Sequence, residues 1–125
     1  MDDIKNFDAL CVIWKNPYTN KKYRIGILCK DKKNGYSFTF LSSGLQNARE
    51  DGLYTELGFN YNDPYRIYNS SDLFIFFKLR RPIGDSFEQL KNDGGKVITD
   101  NLSFEKIIDE DIKQFKIDNE KRKLI

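Results

Sequence analysis

The sequence has no histidine in its 125 residues. That one absence removes Ser–His and Cys–His nucleophilic pairs, a histidine general base and histidine-ligated zinc. Cysteine is nearly absent as well, with only Cys11 and Cys29. Two thiolates cannot complete a zinc site unaided. Each lies in an apolar, strand-like run, where a thiol behaves as a small hydrophobe. Reduced, buried thiols are therefore expected rather than a disulfide framework. No apolar run reaches the ~18 residues of a membrane span. The opening "MDDIKNFDAL" is acidic and lacks the apolar centre of a signal peptide. A cytoplasmic protein is the default expectation. Phosphate loops are missing too. They place glycines ahead of a helix, so that backbone N–H groups face the anion. Gly94-Gly95 follows a predicted helix instead, at the wrong end of its dipole. No Walker pattern occurs, and no cofactor is expected.

What is present fits one domain with a single core. Ten Phe and seven Tyr can fill that core and leave rings for a binding surface. The net charge of +2 is too small to imply nucleic acid by itself. Its distribution is uneven. Lys15 to Lys33 holds seven Lys or Arg against Asp31 alone, and Asp109–Glu110–Asp111 is an acidic run. Both read first as solvated surface.

"ALCVIWK", Ala9 to Lys15, is a nearly continuous apolar run of strand length. "NPYTNKK" breaks it with turn chemistry. "YRIGILCK", Tyr23 to Lys30, reads as a second strand, and Gly26 within it signals a bulge or a close backbone approach. Asn34-Gly35 suits a type I′ hairpin turn. "YSFTFL" alternates strictly, with Tyr36, Phe38 and Phe40 on one face and Ser37 and Thr39 on the other. The first 41 residues thus predict a three-stranded antiparallel meander. "SSGLQNAREDG" predicts a short helix with a Ser cap, stopped at Gly52. A short strand is expected around Tyr54 to Phe59 and a turn at Asn62-Asp63-Pro64. In "SSDLFIFFKLRRP", Ser71 caps a predicted helix from about Asp72 to Leu79, buried on most sides. In "DSFEQLKNDGGKVITDN", Asp85 or Ser86 caps a helix that packs Phe87 and Leu90, and Gly94-Gly95 closes it. "KVITDNLSF" is a strand or two, with a turn at Asp100-Asn101. The last stretch is charged, a helix or a frayed tail, with Ile108, Ile112 and Phe115 at helical spacing. The predicted class is α+β: an N-terminal antiparallel meander with short helices packed on it.

Carboxylates are plentiful, and pairs of them can do acid–base work. Glu50, Asp51, Glu56, Asp100 and Glu105 are candidates, but no motif frames any of them. A non-enzyme is expected. A binding module remains, using the meander face opposite Phe38 and Phe40 together with the loop "NPYTNKKY". Tyr and Arg are common interface anchors. Tyr18, Lys21, Lys22, Tyr23 and Arg24 are the candidate partner-binding residues. Gly26, Gly35, Phe38, Phe40, Phe87, Leu90, Gly94 and Gly95 are the candidate structural ones. The same basic hairpin, with its tyrosines, leaves a nucleic-acid surface open as an alternative.

Four pieces follow one another: "CVIWKNPYTNKKYRIGIL", "YSFTF", "DLFIFFKLRRP" and "DSFEQLKNDGG". Their order resembles the N-terminal subdomain of HipA-type toxin kinases and its free-standing form, the HipS-type small proteins. The resemblance spans Leu10 to Phe104. It divides the chain into a subdomain-like part, residues 1–107, and a charged C-terminal helix or tail, residues 108–125. The kinase machinery of that family lies in a much larger C-terminal portion. Nothing here offers a nucleotide-binding loop or a catalytic Asp with its metal-binding partner. The resemblance therefore implies an antitoxin-type regulator that binds a HipA-like serine/threonine kinase and holds it inactive. A phage or mobile-element inhibitor of another bacterial enzyme on the same scaffold stays open, since one scaffold hosts many functions.

Overall fold

The apolar runs fold as strands, and their lack of polar interruption reflects a sheet covered on both faces. The computed structural model describes residues 8–31, 35–53, 59–80, 86–95 and 101–124. Asp8–Lys15 is β1, Lys22–Asp31 is β2 and Gly35–Phe40 is β3, each antiparallel to the next. The expected meander is widened on both sides. Tyr68–Ser70, β4, pairs with β3, and Leu102–Lys106, β5, pairs with β1. The sheet order is β4-β3-β2-β1-β5. Helices α1 (Ser42–Glu50), α2 (Ile75–Lys78), α3 (Ser86–Asp93) and α4 (Asp109–Arg122) pack on it, giving a single compact α+β domain.

Alternation sorts the strand residues into two cores. Leu10, Val12, Trp14, Leu28, Phe38 and Phe40 face one side, where they meet Leu45 and Ala48 of α1, Phe77 of α2, and Phe87 and Leu90 of α3. Phe38 is the hub. Its ring stacks on Phe59 at 4.3 Å and meets Phe40 edge-on at 5.1 Å and Phe77 at 5.6 Å. Cys11, Ile13, Ile27, Cys29 and Leu41 face the other side, under Phe115 of α4. The face opposite Phe38 and Phe40 is therefore not free for a partner, contrary to the expectation. A strand pair apolar on both faces must bury both, and α4 is what covers the second.

One bulge decides which side chains reach which face. Val12 pairs with Gly26, but Ile13 pairs with Arg24, so Ile25 is the extra residue of β2. Ile25 joins the first core, and the slip returns Tyr23 to that side and sends Arg24 to the other. Gly26 lies beneath the Phe38 ring, where a Cβ would come within 2.7 Å of ring carbons. Both readings of Gly26, bulge and close approach, hold.

The helices differ from expectation at their ends. The N-cap of α1 is Leu41, which has no capping side chain. Asp118 of α4 takes that part: its carboxylate accepts from the Ser42 N–H at 2.9 Å and from the Ser42 hydroxyl at 2.6 Å. At the other end, Gly52 N–H bonds Arg49 O and Leu53 N–H bonds Ala48 O, a Schellman closure. Helix α2 has only four residues rather than the predicted eight, and its N-cap is Phe74, not Ser71. Pairing in β4 takes Tyr68–Ser70, and the Ser70 hydroxyl then accepts the Asp72 N–H in a local turn that replaces the first helical turn. Phe77 and Leu73 are buried, but Ile75 and Leu79 are 69% and 68% exposed, so α2 is not buried on most sides.

Helix α3 buries Phe87 and Leu90 and ends at Gly94 and Gly95, with φ of 77° and 60°. Gly94 N–H bonds Leu90 O, and Gly94 O accepts from Phe104 N–H, which turns the chain toward β5. Buried Arg80 fixes this corner by donating to Gly95 O at 2.7 Å and Leu102 O at 3.0 Å. Gly35 opens β3 at φ 105°; the Asn34 half of the predicted turn, the strand around Tyr54, Asp85 and Asp100 lie outside the described residues. The C-terminal stretch is the helix α4. Its buried positions are Asp111, Phe115 and Asp118, while Ile108 is its N-cap and 42% exposed. No helix among the described residues is long and apolar enough to cross a membrane.

Candidate protein-interaction surface

The loop between β1 and β2 is short, polar and locked from inside. Asn16 is 7% exposed and uses its whole amide. Its Oδ1 accepts from the Tyr18 N–H at 2.8 Å and the Thr19 N–H at 3.3 Å, an Asx turn. Its Nδ2 donates to the Asp51 carbonyl at 3.1 Å and the Asp51 carboxylate at 3.0 Å. The backbone closes the same turn, with Asn16 N–H to Lys21 O and Asn20 N–H to Asn16 O, both 2.8 Å. Asn20 sits in the left-handed region at φ 62°, which asparagine tolerates better than most residues.

Tyr23 braces the base of the loop. Its ring stacks on Trp14 at 5.9 Å, and its hydroxyl donates to Asp51 at 2.7 Å. The hydrogen bond to Asp51, helped by partial burial, pushes the phenol up to about 12. The Asp51 carboxyl is held below its usual range, by the bond from Tyr23 first and that from Asn16 second. Asp51 is also the C-cap of α1, so the loop is tied to the end of a helix.

The result is a fixed hairpin tip with one large side chain projecting from it. Tyr18 is 93% exposed. Lys21 follows three residues later, with its ammonium 5.4 Å from the Tyr23 ring centre. Behind the tip, Lys21, Lys22, Tyr23, Asn47, Glu50 and Asp51 line an open groove of about 510 Å³.

The structure divides the candidate residues. Tyr18 and Lys21 are presented outward. Lys22 meets Glu105 at 3.2 Å while remaining largely exposed. Tyr23 braces the loop. Arg24 turns to the far face and grips Asp111 with two bonds of 2.8 and 2.9 Å, adding one of 2.9 Å to Lys106 O. Burial pulls the Arg24 pKa down, but the bond to Asp111 and the nearby carboxylates more than offset that, and the net shift is upward. Lys22, Tyr23 and Arg24 thus hold contacts within the domain, while Tyr18 and Lys21 point outward. Sequence reasoning named Asn16 in the turn and Asp51 among the carboxylates, but missed the tie between them. The Asn16-Pro17 turn signal was visible, but its anchor lies 35 residues away.

Glu50 is exposed on α1 and Glu105 faces Lys22, while Glu56 and Asp100 lie outside the described residues. Among the described residues, no cluster of three or more Asp, Glu or Cys could hold a metal ion. A larger open groove of about 790 Å³ runs between α1, the 61–65 turn and α4. Its cations are engaged: Arg49 lies over the Tyr61 ring at 5.7 Å and Lys121 over the Tyr65 ring at 5.8 Å.

No protein-family model, curated protein or solved structure matches this chain.

Proposed function

We propose that the chain is a non-catalytic protein-binding module that docks through the β1–β2 hairpin tip. The observation that carries this is the pairing of a 93% exposed Tyr18 with a turn locked by Asn16 and Asp51. A tyrosine with two rotatable side-chain bonds on a fixed backbone loses little entropy on docking and offers a large apolar area with a polar tip. Such anchors carry most of the energy in protein interfaces. The basic residues around it favour a protein over a nucleic acid, because Lys22 and Arg24 already face Glu105 and Asp111. Phosphate binding would need those cations free to release counterions.

The narrower reading is an antitoxin-type regulator that holds a HipA-like kinase inactive in the cytoplasm. It rests on the resemblance of "CVIWKNPYTNKKYRIGIL" and the pieces that follow. Two buried free cysteines suit a reducing compartment. The test is a pull-down with the tagged full chain at low and moderate salt, after nuclease treatment, with Tyr18→Ala as the parallel bait. One stoichiometric kinase that is captured by the wild type and lost with Tyr18→Ala supports the reading. Captured proteins that disappear with nuclease or modest salt overturn it.

A further inference from the structure

Helix α4 packs over one face of the central strands, yet little of its grip is apolar. Its inward stripe is Asp111, Phe115, Asp118 and Arg122, at helical spacing. Phe115 is its one fully buried apolar side chain, with Ile112 partly buried beside it. The rest is three polar latches. Arg24 grips Asp111 at the N-terminal end. Asp118 caps α1 through Ser42, with Gln114 donating to the same carboxylate at 3.0 Å. Arg122 donates to the Thr39 hydroxyl at 2.7 Å and to the Tyr65 carbonyl at the C-terminal end.

Charges and amides regain hydration when such latches part, which offsets much of the attraction lost on opening. The two cores are unequal in the same sense. Among the described residues the first holds 16 buried residues and the second six, so the sheet keeps its larger support when α4 lifts. We propose that α4 is a latched strap that lifts as a unit from the sheet while the rest of the domain stays folded, uncovering Cys11, Cys29 and the apolar strip they share. Residues 107–108, between β5 and α4, are its hinge. This device stands apart from the hairpin-tip reading.

The two thiols report the motion. Closed, they are inert: burial pushes Cys29 up to about 12, and Cys11 is raised further, by burial first and the neighbouring Asp111 second. Disulfide-exchange labelling of the full chain with an aromatic disulfide reagent, read per cysteine by mass spectrometry, counts openings. The labelling rate is followed against urea, beside global unfolding by circular dichroism. The strap predicts that both thiols label at low urea about a hundredfold or more faster than global unfolding allows, with a shallow urea slope, because little surface is exposed. Asp118→Asn raises that low-urea rate about tenfold, as expected for weakening one charge-assisted latch. Leu90→Ala, in the opposite core, lowers the urea midpoint and leaves the low-urea rate unchanged. If either thiol labels only along the steep global limb, the strap is wrong. The same holds if Leu90→Ala speeds labelling in proportion to its lost stability. Should Leu90→Ala not fold, the wild-type slope decides alone.

Discussion

Replacing Asn16 by Ala removes four hydrogen bonds at once. The two to Asp51 are part-buried and each contributes about 0.5–1.5 kcal/mol net. The two accepted from Tyr18 and Thr19 are part-buried as well, but they are local to the loop, and water reaching the freed N–H groups replaces much of their value. The expected cost is about 1–3 kcal/mol, and a domain of this size loses about 6–10 °C in Tm for the middle of that range. Thermal unfolding measures the total. Amide exchange measures the part that matters for function: the Tyr18 N–H exchanges at least about tenfold faster in Asn16→Ala. Asn16→Asp separates the two halves. It keeps the acceptor of the Asx turn, so the Tyr18 amide stays protected, but it loses the donor and sets a second carboxylate against Asp51. Stability then falls as far as in the alanine variant or further. Equal Tyr18 exchange in the wild type and Asn16→Ala would refute the idea that the turn is locked by this side chain.

Gly95→Ala forces a left-handed residue at φ 60° and drives its Cβ to 2.5 Å from Leu90 Cδ2 and 2.7 Å from Phe104 Cδ2. Urea unfolding should show a loss of about 2–4 kcal/mol. Gly94→Ala meets only Phe104 O at 3.5 Å, so its loss is the backbone strain alone, about 1–2 kcal/mol. Stability against pH should have two limbs from the tip. The Tyr23 phenol rises in the fold from 10.0 to about 12, so its contribution is full below 10 and lost as pH climbs through 12. The Asp51 carboxyl falls from 3.8, so its contribution is full above that value and lost as pH drops through the lower folded one. Tyr23→Phe abolishes the alkaline limb and shrinks the acid one in the same titration, and an unchanged acid limb would break the link between the two groups. Phe38→Ala should cost about 3–5 kcal/mol by urea titration, since its ring fills the space among Phe40, Phe59 and Phe77.

What the sequence revealed and what it hid follow from the range of the interactions. β1, β2 and β3 were legible because alternation and turn chemistry act over a few residues, as in Tyr36–Phe40 and Asn16-Pro17. Gly26 pointed at its bulge because a missing Cβ is itself the local signal. Strand β4 was not legible. Tyr68–Ser70 is three polar or aromatic residues that become a strand only by pairing with β3. The second core was half visible: Cys11, Ile13, Ile27 and Cys29 made the runs apolar on both faces, which required a cover. That cover was hidden because α4 turns Asp111 and Asp118 inward, and a buried carboxylate looks like solvated surface until Arg24 and Ser42 are placed against it. In the acidic run, Asp109 and Glu110 are solvated as expected, and Asp111 is 2% exposed. The candidate site shows the same limit. Tyr18 could be named from its residue type and loop, whereas the Asn16–Asp51 tie that fixes it spans 35 residues.

The central claim is that a rigid tip presents Tyr18 to a protein. The most direct test is calorimetric titration of the captured partner with the wild type and with Tyr18→Ala, at two salt concentrations. The account predicts a loss of about 2 kcal/mol or more, roughly thirtyfold in Kd, with unchanged folding and little salt dependence. A folded Tyr18→Ala protein that binds as tightly as the wild type would contradict it.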